Sequence, residues 1–418
     1  MAEPITGPAP RGLIAKAAHL AAFIWIQIGL TLLLLWLISA AAGIVVKKIR
    51  RSHDVIPAPQ DAYAGQPWAA DYFKNLNRVH MRWYPYAYWK ATPMSSRYLN
   101  IDADGDRVTW SEPHKAAANG PTLRLFMMGG STLWGTGVRD DHTLASLLAR
   151  RLAGNPAYNL EVTNFGQIGY VSTQELILLY QMLRRGQRPD LVIFYDGVNE
   201  AFTGYQNGIG GLTQSEFFRA QEFSVLSSSW GRKKLYRAAI HSAIMTTGIA
   251  DLIKLIEGKD NPNMLPHQIK PLASFAYLAP PQDFEGTDAV ERDVVDIYLF
   301  NLELERMLAK RFGYRVLFYW QPTVFSKNQL APFEKKLLPG DPMRAQFFRG
   351  TYRRVAQAAQ ANGIIDISGI LNNRSRDDFI DPYHLNEAAN EIVAGRMASD
   401  AAPILDAIAR QKRRPGKQ

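Results

Sequence analysis

The sequence predicts a three-layer α/β/α fold built on a five-stranded parallel sheet. Three observations predict it. Short apolar blocks at residues 123–128, 160–164, 190–195 (DLVIFY), 315–320 (RVLFYW) and 364–367 read as strands covered on both faces. Between them, residues 143–152, 174–184 and 290–311 have helical spacing, and a closing helix begins over 386–397. The segments that follow the strands carry Gly, Ser, Asn and His, at the edge where open parallel sheets gather ligands.

The strands occupy the later part of the 418-residue chain, and the earlier part is of another kind. Residues 17–46 contain no Asp, Glu, Lys or Arg, a run of about 30 against the ~20 needed to cross a bilayer. Trp25 and Trp36 suit its interfaces, and Lys47 closes it. A cleaved signal peptide has a shorter apolar core; Ser39 and the alanines after it offer small residues, but the run reads better as a retained single-span anchor. Much of the net charge of +10 sits in Lys47, Lys48, Arg50, Arg51, Lys412, Arg413, Arg414 and Lys417. Beside an apolar run these clusters suit anionic headgroups, and no nucleic-acid reader motif accompanies them, so no nucleic-acid partner is expected. The chain has no cysteine, which excludes disulfides, thiolate metal sites and a cysteine nucleophile.

The organisation that follows is a tail (1–16), a transmembrane helix (17–46), a membrane-proximal region (47–118), a catalytic domain (119–410) and a basic tail (411–418). The membrane-proximal region is rich in Pro, Tyr and Trp, has no sustained period, and is expected to pack on the body without a core of its own. Within the body, residues 201–289 form an insertion whose amphipathic stretch 232–255 reads as a lid, a membrane-lying helix or, more plainly, an extra helical layer. Residues 100–112 echo a calcium loop, but Glu112 falls one position late and no helix precedes Asn100. A polar turn is the expectation there, with no metal and no cofactor.

Four segments carry chemistry. Gly129-Gly130-Ser131-Thr132 allows a tight strand-to-helix turn with backbone N–H groups beside the serine; a plain N-cap serine fits the same residues. The phosphate-loop ending G-K-[ST] is missing. Asn164 to Tyr170 holds Gly166 and Gly169, which let a backbone N–H reach a ligand or simply make a turn. Asn199, beyond the DLVIFY strand, can donate its amide to developing negative charge or satisfy its own loop. Asp381 stands three residues before His384, so its carboxylate can fix the tautomer and leave the other ring nitrogen for a serine.

In number, order and spacing these segments resemble the conserved blocks of the SGNH hydrolases, also called the GDSL family, over residues 120–400 apart from the insertion. The resemblance implies a serine esterase with Ser131 as nucleophile, His384 as base and Asp381 orienting it. It implies an oxyanion hole from the Ser131 N–H, the Gly169 N–H and the Asn199 side chain, with Gly166 the second choice of glycine. Gly130, Gly166 and Gln321 are candidate pocket residues. The family's Gly-Asp-Ser is Gly-Gly-Ser here, and its Gly-x-Asn-Asp is Gly197-Val198-Asn199-Glu200. Neither change touches the triad, though both set the chain apart from the secreted lipases. The GGST block, Asn100 to Gly105 and Gln321-Pro322 look like bacterial envelope members. The expected substrate is therefore an acylated envelope glycan or lipid, with the bilayer as partner; transfer to a glycan hydroxyl and a catalytically inactive scaffold are the alternatives. The expected location is the inner membrane with a periplasmic body, against the charges after the span, which favour a cytoplasmic one.

Overall fold

The computed structural model describes residues 11–53, 58–113, 117, 120–216, 219–220, 287–338 and 340–413. They fall in two compact units. The first contributes one helix, α1 (Arg11–His53), and the second contains everything described from residue 58 onward. Within α1, Ala18–Ile38 has a mean hydropathy of 2.3 over 21 residues, long and apolar enough for a membrane span or a signal sequence.

In the second unit a five-stranded sheet has the order β4-β3-β5-β6-β7, every pair parallel. The strands are β3 (Thr122–Gly129), β4 (Asn159–Asn164), β5 (Leu191–Asp196), β6 (Arg315–Trp320) and β7 (Ile364–Asp366). The central β5, LVIFYD, is buried at every position, as its unbroken apolar run requires. Helix α4 (Leu144–Leu152), capped by Thr143, packs with the C-terminal helix Glu387–Arg413. Helices α5 (Ser172–Arg184) and α6 (Val198–Asn207) pack with the long helix Asp288–Phe312, which also meets the helix Pro342–Ala359. The order reverses between β4 and β5, on either side of β3. The crevice at the carboxyl ends of β3 and β5 is thus the topological switch point where such sheets bind ligands.

Residues 58–113 are built into this same unit. They form a 3-10 turn (Pro59–Tyr63), α2 (Ala69–Leu76) and a hairpin of β1 (Met81–Tyr84) and β2 (Tyr88–Ala91). The expected lack of a core is corrected here. Tyr63, Trp68, Tyr72, Phe73, Leu99 and Ile101 form a buried cluster closed by Trp134 and Ile380 from the α/β body. The amphipathic stretch 232–255, with nearly all of the insertion beyond residue 220, lies outside the described residues.

Candidate active site

β3 ends at Gly129, and the one-turn helix α3 (Ser131–Trp134) begins immediately. So short a helix leaves its terminal carbonyls without intrahelical partners. The Leu133 carbonyl accepts from Asn164 Nδ2 at 2.9 Å, and the region before the body bonds the carbonyls that follow the helix. Buried Arg107 donates to the Gly135 carbonyl at 3.1 Å and the Val138 carbonyl at 2.9 Å, its guanidinium lying 4.7 Å from the Trp134 ring. The Tyr72 hydroxyl donates to Gly135 O at 3.1 Å and accepts from Gly137 N–H at 2.9 Å. Ser131 is thereby held on a rigid turn.

Its Oγ lies 2.8 Å from His384 Nε2, and His384 Nδ1 lies 2.6 Å from Asp381 Oδ2. An ionised carboxylate can only accept, so Nδ1 carries the proton and Nε2 is left to accept from the serine. Asp381 Oδ1 also accepts the backbone N–H groups of Tyr383 (2.9 Å) and His384 (2.8 Å). Burial pushes the Asp381 carboxyl up, but the adjacent imidazole and these N–H groups outweigh it and hold the group below its ordinary value. The sign follows: its ionised, orienting form persists above the usual carboxylate range and is lost only as pH falls through that lowered value.

The remaining sequence-predicted residues separate into two groups. Asn199 opens α6 beside the serine, and its Nδ2 donates to Tyr170 O at 2.6 Å, keeping a second hydrogen for a ligand. A Cβ on Gly130 would meet that Nδ2 at 2.1 Å, which is why the middle position of Gly-Gly-Ser holds no side chain here. Gly169 has φ +79 in the turn Gln167–Tyr170, and its N–H has no partner among the described residues. Gly166 and Gln321 are different. The Gly166 N–H donates to Asn164 Oδ1 at 3.0 Å, and a Cβ there would lie 2.6 Å from Trp134 N, so it is a packing glycine under α3. Gln321 is 2% exposed and accepts from the Thr132 hydroxyl at 2.6 Å, a strut from β6 to the serine's helix, not a pocket wall.

The calcium-like segment makes a turn. Asp102 Oδ1 accepts the N–H groups of Asp104 and Asp106, and Asp106 pairs with buried Lys90 at 2.8 Å.

A cluster of acids that the sequence did not reveal lies around the end of β5. Glu200 accepts the Gly197 N–H at 2.8 Å and the Ser172 N–H at 2.7 Å, tying α6 to α5. The carboxyl oxygens of Glu175, Asp196 and Glu305 are buried without a hydrogen-bond partner among the described residues. Desolvation raises Glu175, Asp196 and Glu200 and pushes Glu305 up to about 8. The unfolded chain releases the Glu305 proton near 4.3, so the folded state loses stability as pH rises from there through about 8. Glu305→Gln is expected to change stability little at pH 5 and to raise it by several kcal/mol at pH 9. Denaturant titrations at the two pH values test this; equal shifts at both would refute the buried-acid reading.

No family model and no curated protein sequence matches the chain. Solved structures it is similar to include TesA, at 16% identity, covering 68% of this chain and 99% of that one with a TM-score of 0.33. The acetyl xylan esterase AlAXEase has 14% identity, 66% and 99% coverage and a TM-score of 0.31. Axe2, an acetylxylan esterase from Geobacillus stearothermophilus, has 14% identity, 70% and 96% coverage and a TM-score of 0.31.

Proposed function

We propose that the chain is a serine esterase of the SGNH class that cleaves O-acyl, chiefly acetyl, esters through an acyl-serine at Ser131. The observation that carries this is the continuous relay from Asp381 through His384 to Ser131, with contacts of 2.6 and 2.8 Å, at the switch point of the sheet. His384 Nε2 takes the Ser131 proton as Oγ attacks the ester carbonyl. The oxyanion is held by the N–H groups of Ser131 and Gly169 and the Asn199 amide. Collapse expels the alcohol, which takes the proton from His384. Water then enters, gives its proton to His384 and its oxygen to the acyl carbon, and the acid leaves with Ser131 restored.

The substrate in this reading is an acylated envelope glycan or lipid, and the protein sits in the inner membrane with a periplasmic body. The apolar run Ala18–Ile38 and the resemblance to envelope members support it. The test is to expose the detergent-solubilised full chain to p-nitrophenyl acetate and to a fluorophosphonate, then map the label. Turnover with the phosphonyl group on Ser131 is the expected result. A folded protein that neither turns over ester nor takes label at Ser131 would leave the inactive scaffold. Acyl groups appearing on an added glycan would make it a transferase.

A further inference from the structure

The turn that presents Gly169 is fixed at its ends by the body together with Ala91 and Gly105, and in its middle by Trp89. At one end, Gln167 N–H donates to Gly129 O at 3.0 Å, and its side chain, wholly buried, accepts from Ala91 N–H (3.0 Å) and donates to Gly105 O (3.0 Å). At the other end, Tyr170 N–H closes the turn on Gln167 O at 3.2 Å, and Tyr170 O takes the Asn199 amide. The central peptide, Ile168–Gly169, is the part left free to rotate. With φ of +79 at Gly169 the turn is type II; rotating that peptide by about 180° gives type I, and glycine accepts both.

What selects one state is Trp89. Its indole Nε1–H donates to Ile168 O at 2.7 Å. In a trans peptide the C=O and the next N–H point in opposite directions, so a carbonyl turned to Trp89 turns the Gly169 N–H away from it. Trp89 is itself held. Its ring meets Tyr170 edge-on at 5.8 Å, the Tyr170 hydroxyl donates to its carbonyl, and Tyr88 before it has a φ of 70, uncommon for a bulky residue.

Building on the esterase reading above, we infer that Trp89 is a positioning residue for the oxyanion hole: its indole hydrogen bond holds the Ile168–Gly169 peptide in the orientation that aims the Gly169 N–H at the substrate oxyanion. The hairpin before the catalytic body is then part of the rate-setting apparatus, acting through the peptide it holds.

Trp89→Phe keeps an aromatic ring for Tyr170 and removes the donor. In the full chain it is expected to lower kcat on p-nitrophenyl acetate by about 10- to 100-fold, approaching the loss of one hole donor, while KM changes less than twofold. Hydrogen exchange at residues 168–170 should rise, with the unfolding midpoint near that of wild type. Wild-type kcat together with unchanged exchange would overturn the inference while leaving the esterase reading intact. If the wild-type chain turns over no ester, that reading falls first, and the exchange result still decides whether Trp89 holds the peptide. A fall in kcat matched by a general loss of protection across the body would make Trp89 a plain structural residue and overturn the inference too.

Discussion

Replacing Ser131 with alanine is expected to lower ester turnover by about 10⁴- to 10⁶-fold and to leave the fold in place. The fold should survive because, among the described residues, the Ser131 hydroxyl hydrogen-bonds His384 Nε2 alone. Thr132 still bonds Gln321, the carbonyls after α3 keep Tyr72 and Arg107, and Asp381 keeps the imidazole. Activity should not survive, because in the proposed mechanism Oγ is the atom that bonds the acyl carbon. His384→Ala should cost about as much, and the double variant little more than either, since serine and base act as a unit. Steady-state kinetics with active-site titration measures all three. A Ser131→Ala protein retaining even a hundredth of wild-type kcat would place the chemistry on another residue.

How much of this was legible in the sequence depends on how far apart the interacting residues lie. The strands were plain because LVIFYD and RVLFYW need cover on both faces, and the boundaries observed differ from the expected ones by at most one residue. Asp381 and His384 announce themselves because three residues bring carboxylate and imidazole together in one turn. Their meeting with Ser131 spans 253 positions and was inferable only from the resemblance. The helix Pro342–Ala359 was missed: its run PMRAQFFRGTYRRVAQAA puts Phe347, Phe348, Tyr352 and Val355 on a buried stripe, but four arginines dilute the pattern. The region 58–113 gave no signal, since elements of four to eight residues are too short for a period to build up. Their order comes from contacts such as Arg107 with Val138 and Trp89 with Ile168, which no local pattern contains. Gln321 was misjudged for the opposite reason. It follows a strand at the correct edge of the sheet, but its amide oxygen is taken by the Thr132 hydroxyl.

Lys327 shows what such a long-range contact is worth, and its replacement by methionine is expected to destabilise the protein by about 3–5 kcal/mol. The ammonium is buried in the loop after β6 and donates to Glu334 at 2.7 Å, to Asp378 at 2.9 Å and to the Arg376 carbonyl at 2.8 Å. Glu334 and Asp378 are 0% and 1% exposed; this lysine is the cation paired with Glu334, and it shares Asp378 with Arg374. Methionine fills a similar volume but leaves the carboxylates facing one another. Arg374 still reaches Asp378 at 3.1 Å, whereas Glu334 would keep only the N–H groups of Ala331 and Asp378. The same cluster holds the base of the loop that returns through Asp381 and His384, a loop closed by the Asn386 N–H on Asp378 O and by Val324 N–H on Pro382 O. A fall in kcat should therefore accompany the loss of stability, because the imidazole loses its fixed approach to Ser131. Adding Glu334→Gln to Lys327→Met removes the uncompensated charge and should recover part of the lost stability. Denaturant titration of the single and double variants decides the matter. A Lys327→Met protein within 1 kcal/mol of wild type, or a double variant less stable than the single one, would show that burial of these charges is not what fixes the loop.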